Sequence, residues 1–434
     1  MRRARSWVGI PCAIAAITVV TGCANGAADG GLPARQSLPP SSVPHRAAAA
    51  DRAGAPGNVD ALGASVRGAA IPRGNAARDL AGQPVAAAPG SGPALPPLSA
   101  RQLAGQRVIY SYSGLTPPAR LLRRIRHGQA AGVVFFGGNI RSKPQLRRVV
   151  AELQQAAMSR QNPVREPLLM MTDQEGGIVR RLSGAPDTSE QQIGDSADPA
   201  AAASRAGNGA GRNLRGAGIN VNLAPVLDVY RRAGNFIDEF GRSYGRNAVA
   251  VATLGADFIT AQQQAGVAAT SKHFPGLGAA SKSQDTDLRP VTLNLSRTTI
   301  QSVDELPYTA AIAAGVRLVM VSWAAYPSLG SGRPAGLSAA VVQGELRQRL
   351  DFTGVTITDA LGAGALEHYG TIARRGVLAA AAGMDLLLCA SQHAGEGIRA
   401  LDGLAGGLRD GALSKGDFLA SVQRVVALRT AEAW

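Results

Sequence analysis

The chain has 434 residues, a formal charge of +15, 45% hydrophobic residues and only 4% aromatics. That length holds one large domain or two ordinary ones, and the apolar fraction is enough for a sizeable core. The positive charge favours anionic surroundings. No basic stripe with interleaved aromatics, helix-turn-helix or RNA-binding signature accompanies it, which argues against a nucleic-acid partner.

The amino terminus reads as an export signal. Arg2, Arg3 and Arg5 form a positive start, and the apolar run from Trp7 to Val20 is too short to span a bilayer comfortably. It ends in Val20-Thr21-Gly22-Cys23, which resembles the bacterial lipobox. Residues 1–22 are therefore expected to be a lipoprotein signal peptide and Cys23 the lipidation site. Acyl chains there would hold the protein at the outer face of the cytoplasmic membrane. Cys12 leaves with the signal, so Cys389 is the only other thiol and no intramolecular disulfide can form in the mature chain. The apolar run Met384–Cys389 makes it a buried structural thiol. Residues 23–98 are rich in Ala, Gly, Pro and Ser without sustained periodicity, and read as a disordered tether.

From residue 99 the pattern changes. Apolar runs rich in Val, Ile and Leu recur at Val108–Tyr112, Gly132–Phe136, Pro167–Thr172, Ile219–Pro225, Val267–His273, Leu318–Trp323, Val355–Thr358 and Met384–Cys389. Amphipathic segments such as Gln145–Met158, Ser338–Arg349 and Arg374–Ala382 separate them, with Ser338 as a natural N-cap. Continuous apolar runs fit strands buried on both faces of a parallel sheet. Eight strand–helix units over residues 99–434 predict an α/β fold, a (β/α)₈ TIM barrel. A doubly wound open sheet would place a Gly-rich phosphate turn after its first strand. Ser113-Gly114-Leu115-Thr116-Pro117-Pro118 is no such turn.

Catalytic groups of such a barrel lie just past the carboxyl ends of its strands. There the chain has Asp173-Gln174-Glu175-Gly176-Gly177, then Asp228, then Lys272-His273-Phe274-Pro275-Gly276, then Thr358-Asp359. Each alone could cap a helix or form a structural ion pair; together they mark one rim.

These residues carry a resemblance. Asp173-Gln174-Glu175-Gly176-Gly177 with Val179 and Arg181 resembles the DQEGGxVxR motif of glycoside hydrolase family 3, and Lys272–Gly276 its KHFPG signature. Arg242-Ser243-Tyr244-Gly245 is similar to its RSFG segment, and Gly354–Asp359 to the strand that bears its nucleophile. No second large domain follows, so the resemblance points to the single-domain bacterial β-N-acetylglucosaminidases. It implies retaining hydrolysis of a terminal β-linked N-acetylhexosaminide, plausible on peptidoglycan fragments outside the cell, with Asp359 as nucleophile. It also implies that Asp173, Arg181, Arg242, Lys272 and His273 hold the sugar, a task suited to charge-assisted hydrogen bonds. An ion pair between Asp173 and Arg181 supporting the rim is equally compatible. No metal or organic cofactor is implied.

The loop after the fifth strand departs from the family pattern. Leu277 replaces a family His, and Asp287 stands where the acid/base His is expected. Three accounts stay open. Asp287 could be the acid/base if burial or Asp285 raises its pKa; His368 or His393 could serve; or the barrel could bind sugar without turnover. Ala360, following Asp359 where the family often has a second acid, agrees with the last.

Overall fold

The computed structural model describes residues 95–433. The signal peptide, Cys23 and all but the last residues of the tether lie outside the described residues. Within them, eight parallel strands close into a barrel: β1 (Val108–Tyr110), β2 (Gly132–Val134), β3 (Leu169–Thr172), β4 (Val221–Asn222), β5 (Ala268–Phe274), β6 (Leu318–Val321), β7 (Val355–Ala360) and β8 (Leu386–Leu388). Each pairs with its neighbour in sequence, and β8 closes on β1 through Val108–Leu387 and Ile109–Leu388. All eight expected strands are present. Their bounds differ for local reasons. The run Ile219–Pro225 yields only a two-residue strand, and Pro225 has no N–H to give to a ladder. β7 runs two residues past Thr358, so Asp359 sits on the strand end itself.

The alternation along each strand splits the core into two layers. Ile109, Val134, Leu169, Met171, Val221, Leu318, Met320, Val355, Ile357 and Leu386 fill the barrel interior. Val108, Tyr110, Val133, Met170, Val319 and Leu387 face the surrounding helices. Val425 and Leu428 of the helix Lys415–Ala431 join the interior group. Cys389 is buried and unbridged, and burial pushes its thiol pKa up. Ser338 corrects one expectation. The helix begins at Ala340, and the buried Ser338 hydroxyl finds no hydrogen-bond partner among the described residues. Its carbonyl accepts from the N–H groups of Val341 and Val342, so Ser338 holds the N-cap position through its backbone and not through its side chain.

Below the strands, Asp385 gathers a buried ionic knot. Its carboxylate accepts from Arg347 Nη2 at 2.6 Å, Arg424 Nη2 at 2.8 Å and the Thr356 N–H at 2.9 Å. Burial alone would raise its pKa; Arg347 and Arg424 outweigh this and bring it down to about 2. Asp385→Ala should destabilise the protein by about 3–5 kcal/mol, because two guanidinium groups lose their partner in a buried site. Chemical denaturation checks this, and a loss below about 1 kcal/mol would contradict it. The pH dependence has a definite sign. The folded pKa is depressed, so the contribution is complete above the unfolded value and disappears as pH falls towards 2.

Candidate active site

The rim at the carboxyl ends of the strands carries a connected set of charges. Asp173 follows β3 directly, and Glu175 lies on a short hairpin formed by Gln174–Gly176 and Val179–Arg180. The hairpin needs glycine at Gly176: φ is +126°, and a Cβ would stand 2.2 Å from the Thr188 carbonyl oxygen. Lys272 near the end of β5 is buried between the two acids, its Nζ 3.0 Å from Asp173 Oδ1 and 2.7 Å from Glu175 Oε1. Arg242 grips Glu175 in a two-pronged bond, Nε to Oε2 at 2.9 Å and Nη2 to Oε1 at 3.0 Å. Arg181 approaches Asp173 Oδ2 at 3.5 Å. Burial would raise the Asp173 pKa, but Lys272 and then Arg181 overcome it and hold the carboxyl well below the ordinary carboxylate range. Asp173 is thus an ionised acceptor, partly open to the rim. It can take hydrogen bonds from sugar hydroxyls while Lys272 and Arg181 fix its orientation.

Three acids outside the expected set complete this wall. Asp228 is fully buried after β4. Its Oδ2 accepts from His273 Nδ1 at 2.7 Å, and its Oδ1 from the Leu277 N–H at 2.6 Å and the His273 N–H at 3.3 Å. Because a carboxylate only accepts, the His273 ring carries its proton on Nδ1, which leaves Nε2 as the other functional edge. The Leu277 contact runs through the backbone, so the side chain that replaces the family His is simply buried apolar surface. Glu175 is the second. The third, Glu190, is buried, accepts from the Val226 N–H at 2.9 Å through Oε1, and has no partner for Oε2. Burial, then the Glu175 charge, pushes its pKa well up. Glu175 is visible in the sequence as the second acid of its motif. Glu190 had no local signal at all.

The opposite side of the rim holds Asp359 and the loop of Asp285 and Asp287. Asp359 is half-buried. Its Oδ1 accepts from the Ala360 N–H at 2.7 Å, and the Ala360 carbonyl accepts from Trp323 Nε1 at 2.9 Å. The strand end is thereby braced by a buried ring, and Ala360 contributes its backbone where an acid was missed. Asp285 Oδ1 accepts from the Asp287 N–H at 2.8 Å. The loop is pinned to the segment after β7: the Gly364 N–H donates to the Asp287 carbonyl at 2.8 Å and the Ala365 N–H to the Thr286 carbonyl at 3.0 Å.

Asp287 is exposed on this loop, and its carboxyl lies within electrostatic reach of Asp359 and Asp285. Desolvation, followed by the negative charges of Asp359 and Asp285, pushes its pKa up to about 7, partly offset by Arg242 and His273. The neighbouring acids thus act in the direction a proton donor needs. His368 stands at the surface beside Glu367, 78% exposed and 3.3 Å from that carboxylate. His393 is exposed at the start of the helix Ala394–Arg409. Neither figures among the groups acting on Asp287. Of the residues expected to hold the sugar, Asp173, Arg181, Arg242 and Lys272 converge in one ionic cluster, with His273 next to Lys272 on β5, and Asp287 and Asp359 share one electrostatic neighbourhood.

Gly364 sets the position of the acid loop. A Cβ there would lie 2.4 Å from the Leu288 carbonyl carbon and oxygen. Gly364→Ala should therefore push the loop outward. We expect kcat/KM on substrates with poor leaving groups to fall about ten- to a hundredfold, with little change on activated aryl substrates. Equal losses on both would show a general defect instead.

The comparisons with known proteins decide the family. Residues 106–428 match the family model for the glycosyl hydrolase family 3 N terminal domain. The chain belongs to glycosyl hydrolase family 3. An uncharacterized secreted glycosyl hydrolase of Arthroderma benhamiae is 47% identical over 329 residues, covering 75% of this chain and 92% of that protein. A beta-hexosaminidase of Xylella fastidiosa is 31% identical over 272 residues, covering 61% of this chain and 77% of its own length. Among solved structures, a family 3 β-N-acetylglucosaminidase from Paenibacillus superposes with a TM-score of 0.73 at 35% identity. That match covers 78% of this chain and 64% of the Paenibacillus chain, so this family member spans somewhat under two thirds of that relative. A β-N-acetylhexosaminidase from Beutenbergia cavernae gives a TM-score of 0.68 at 29% identity, covering 78% of this chain and 99% of its own. The fold is therefore that of the family's N-terminal barrel, and the chain stands with its β-N-acetylhexosaminidase-like members.

Proposed function

We propose that this family 3 protein hydrolyses the glycosidic bond of terminal β-linked N-acetylglucosamine with retention, Asp359 acting as nucleophile and Asp287 as acid/base. The observation that carries this reading is the rim itself: Asp359 ends β7, and the loop of Asp287 is pinned to the segment after β7 by the Gly364 and Ala365 N–H groups, within electrostatic reach of Asp359. A general acid must hold its proton near the working pH, and a nucleophile must not. Asp287 is shifted in the direction a general acid needs.

In the first step a carboxylate oxygen of Asp359 attacks the anomeric carbon while Asp287 gives its proton to the departing glycosidic oxygen. A covalent glycosyl ester on Asp359 and the free aglycone result. In the second step ionised Asp287 takes a proton from water, whose oxygen attacks the anomeric carbon and releases Asp359. Asp173, Arg181, Arg242, Lys272 and His273 hold the sugar ring by charge-assisted hydrogen bonds that tighten as charge develops. The acetamido specificity is supported by the hexosaminidases among the relatives. The lipobox-like Cys23 supports a lipid anchor outside the cell and, with it, peptidoglycan fragments as the source of substrate.

Incubating the full chain with matched aryl N-acetyl-β-glucosaminide and aryl β-glucoside tests the reading. Release from the first, with at least about tenfold lower kcat/KM on the second, is expected. Sugar binding without release from either would make the barrel a lectin-like binder instead.

A further inference from the structure

The charge of the described barrel is concentrated in one place. Residues 119–165 hold ten Arg and Lys residues against one acid, Glu152. The rest of the chain from residue 99 onward carries 26 basic and 25 acidic residues. The excess therefore belongs to a single strand–helix unit and its flanks.

Folding places these residues on one outer face. The helices Ala119–Arg126 and Lys143–Ala157 pack side by side on the barrel wall. Leu121, Leu122 and Ile125 of the first, and Leu146, Val149, Val150 and Leu153 of the second, point inward. That leaves Arg120, Arg123 and Arg126 exposed on one helix and Lys143, Arg147 and Arg148 on the other, none within ion-pair distance of a carboxylate among the described residues. Arg141 and Arg160 extend the face at its ends. Pro144, Arg147, Arg148 and Ala151 line a shallow hollow of about 330 Å³. Met158, 43% exposed, is the one large apolar side chain displayed there among the described residues.

We propose that this face docks the barrel on an anionic phospholipid surface. Six exposed cations on two adjacent helices, none with a carboxylate in ion-pair distance among the described residues, build a positive potential over this face, and guanidinium groups match phosphodiester oxygens through paired hydrogen bonds. The face has no interleaved aromatics on which bases would stack, which disfavours nucleic acid. The choice of lipid over another polyphosphate rests on the lipobox-like amino terminus. A basic face adds electrostatic attraction to the lipid anchor and fixes which side of the barrel meets the surface. The helices flank the barrel wall, so docking through them lays the barrel on its side and keeps the rim of Asp173, Asp287 and Asp359 open parallel to the membrane.

The test uses the full chain carrying Cys23→Ser, so that no acyl chain contributes. Cosedimentation compares phosphatidylcholine vesicles with vesicles in which about a third of the lipid is phosphatidylglycerol. Partitioning is expected only onto the anionic vesicles and should weaken steeply with salt. Arg123→Glu, Arg147→Glu and Arg148→Glu together should lower it at least about tenfold. The same charge change elsewhere, Arg205→Glu, Arg399→Glu and Arg409→Glu, should lower it less than about twofold. Thermal midpoints of both variants verify folding; should the first fail to fold, its Arg→Gln counterpart is read in the same way. Equal losses in the two variants, or no preference for anionic vesicles, overturns the proposal. Tighter binding to polyphosphate or duplex DNA at matched phosphate, with the same arginine dependence, overturns its lipid assignment.

Discussion

Asp359→Asn should lower kcat at least about a thousandfold on every β-N-acetylglucosaminide, with the thermal midpoint almost unchanged. The separation of the two effects follows from the local geometry. Asn keeps a side-chain oxygen for the Ala360 N–H that Asp359 now holds at 2.7 Å, and the Trp323–Ala360 brace is untouched. What disappears is the anionic oxygen that forms the glycosyl ester. Steady-state release of an aryl alcohol checks the activity and calorimetry the stability. A variant that retained a tenth or more of wild-type kcat would remove Asp359 from the nucleophile's role.

Asp287→Ala should have an effect that depends on the leaving group. With a poor leaving group the departing oxygen needs its proton, so kcat/KM should fall about 10²–10⁴-fold. With an activated aryl group the first step survives, but water then lacks its base. The glycosyl ester should accumulate after a burst of aryl release. An added small anion such as azide, which needs no deprotonation, should restore turnover. The pH profile carries the same information. Asp287 is protonated below about 7, so wild-type kcat/KM on poor leaving groups should fall as pH rises through that value. In Asp287→Ala that descending limb should vanish.

In the proposed mechanism the same electrostatics would let one group serve both steps. While Asp359 is ionised its charge helps hold the proton on Asp287. Esterification of Asp359 would remove that charge and lower the Asp287 pKa, favouring a base in the second step.

The barrel was legible because its strands are buried on both faces and leave continuous apolar runs, and because their polar ends follow a fixed rule of the fold. Asp173, Lys272 and Asp359 could be placed on that rule. Ser338 opens its helix through its carbonyl alone, and residue type does not reveal that its hydroxyl makes no capping bond. Asp228 bonds to His273 from 45 positions away, and Glu190 reaches the Val226 N–H from 36. Such pairings exist only once the barrel closes. The state of Asp287 belongs to the same class. An Asp in a loop suggests an exposed carboxylate, and only the folded rim supplies the desolvation and the neighbouring Asp359 that raise it.

Trapping the intermediate is the most direct measurement. Asp287→Ala, incubated with an activated aryl N-acetyl-β-glucosaminide and digested, should show one added N-acetylglucosamine residue on the peptide that contains Asp359. Aryl release without any such adduct, or an adduct on a different carboxyl, would contradict the assignment of Asp359 and Asp287 to these roles.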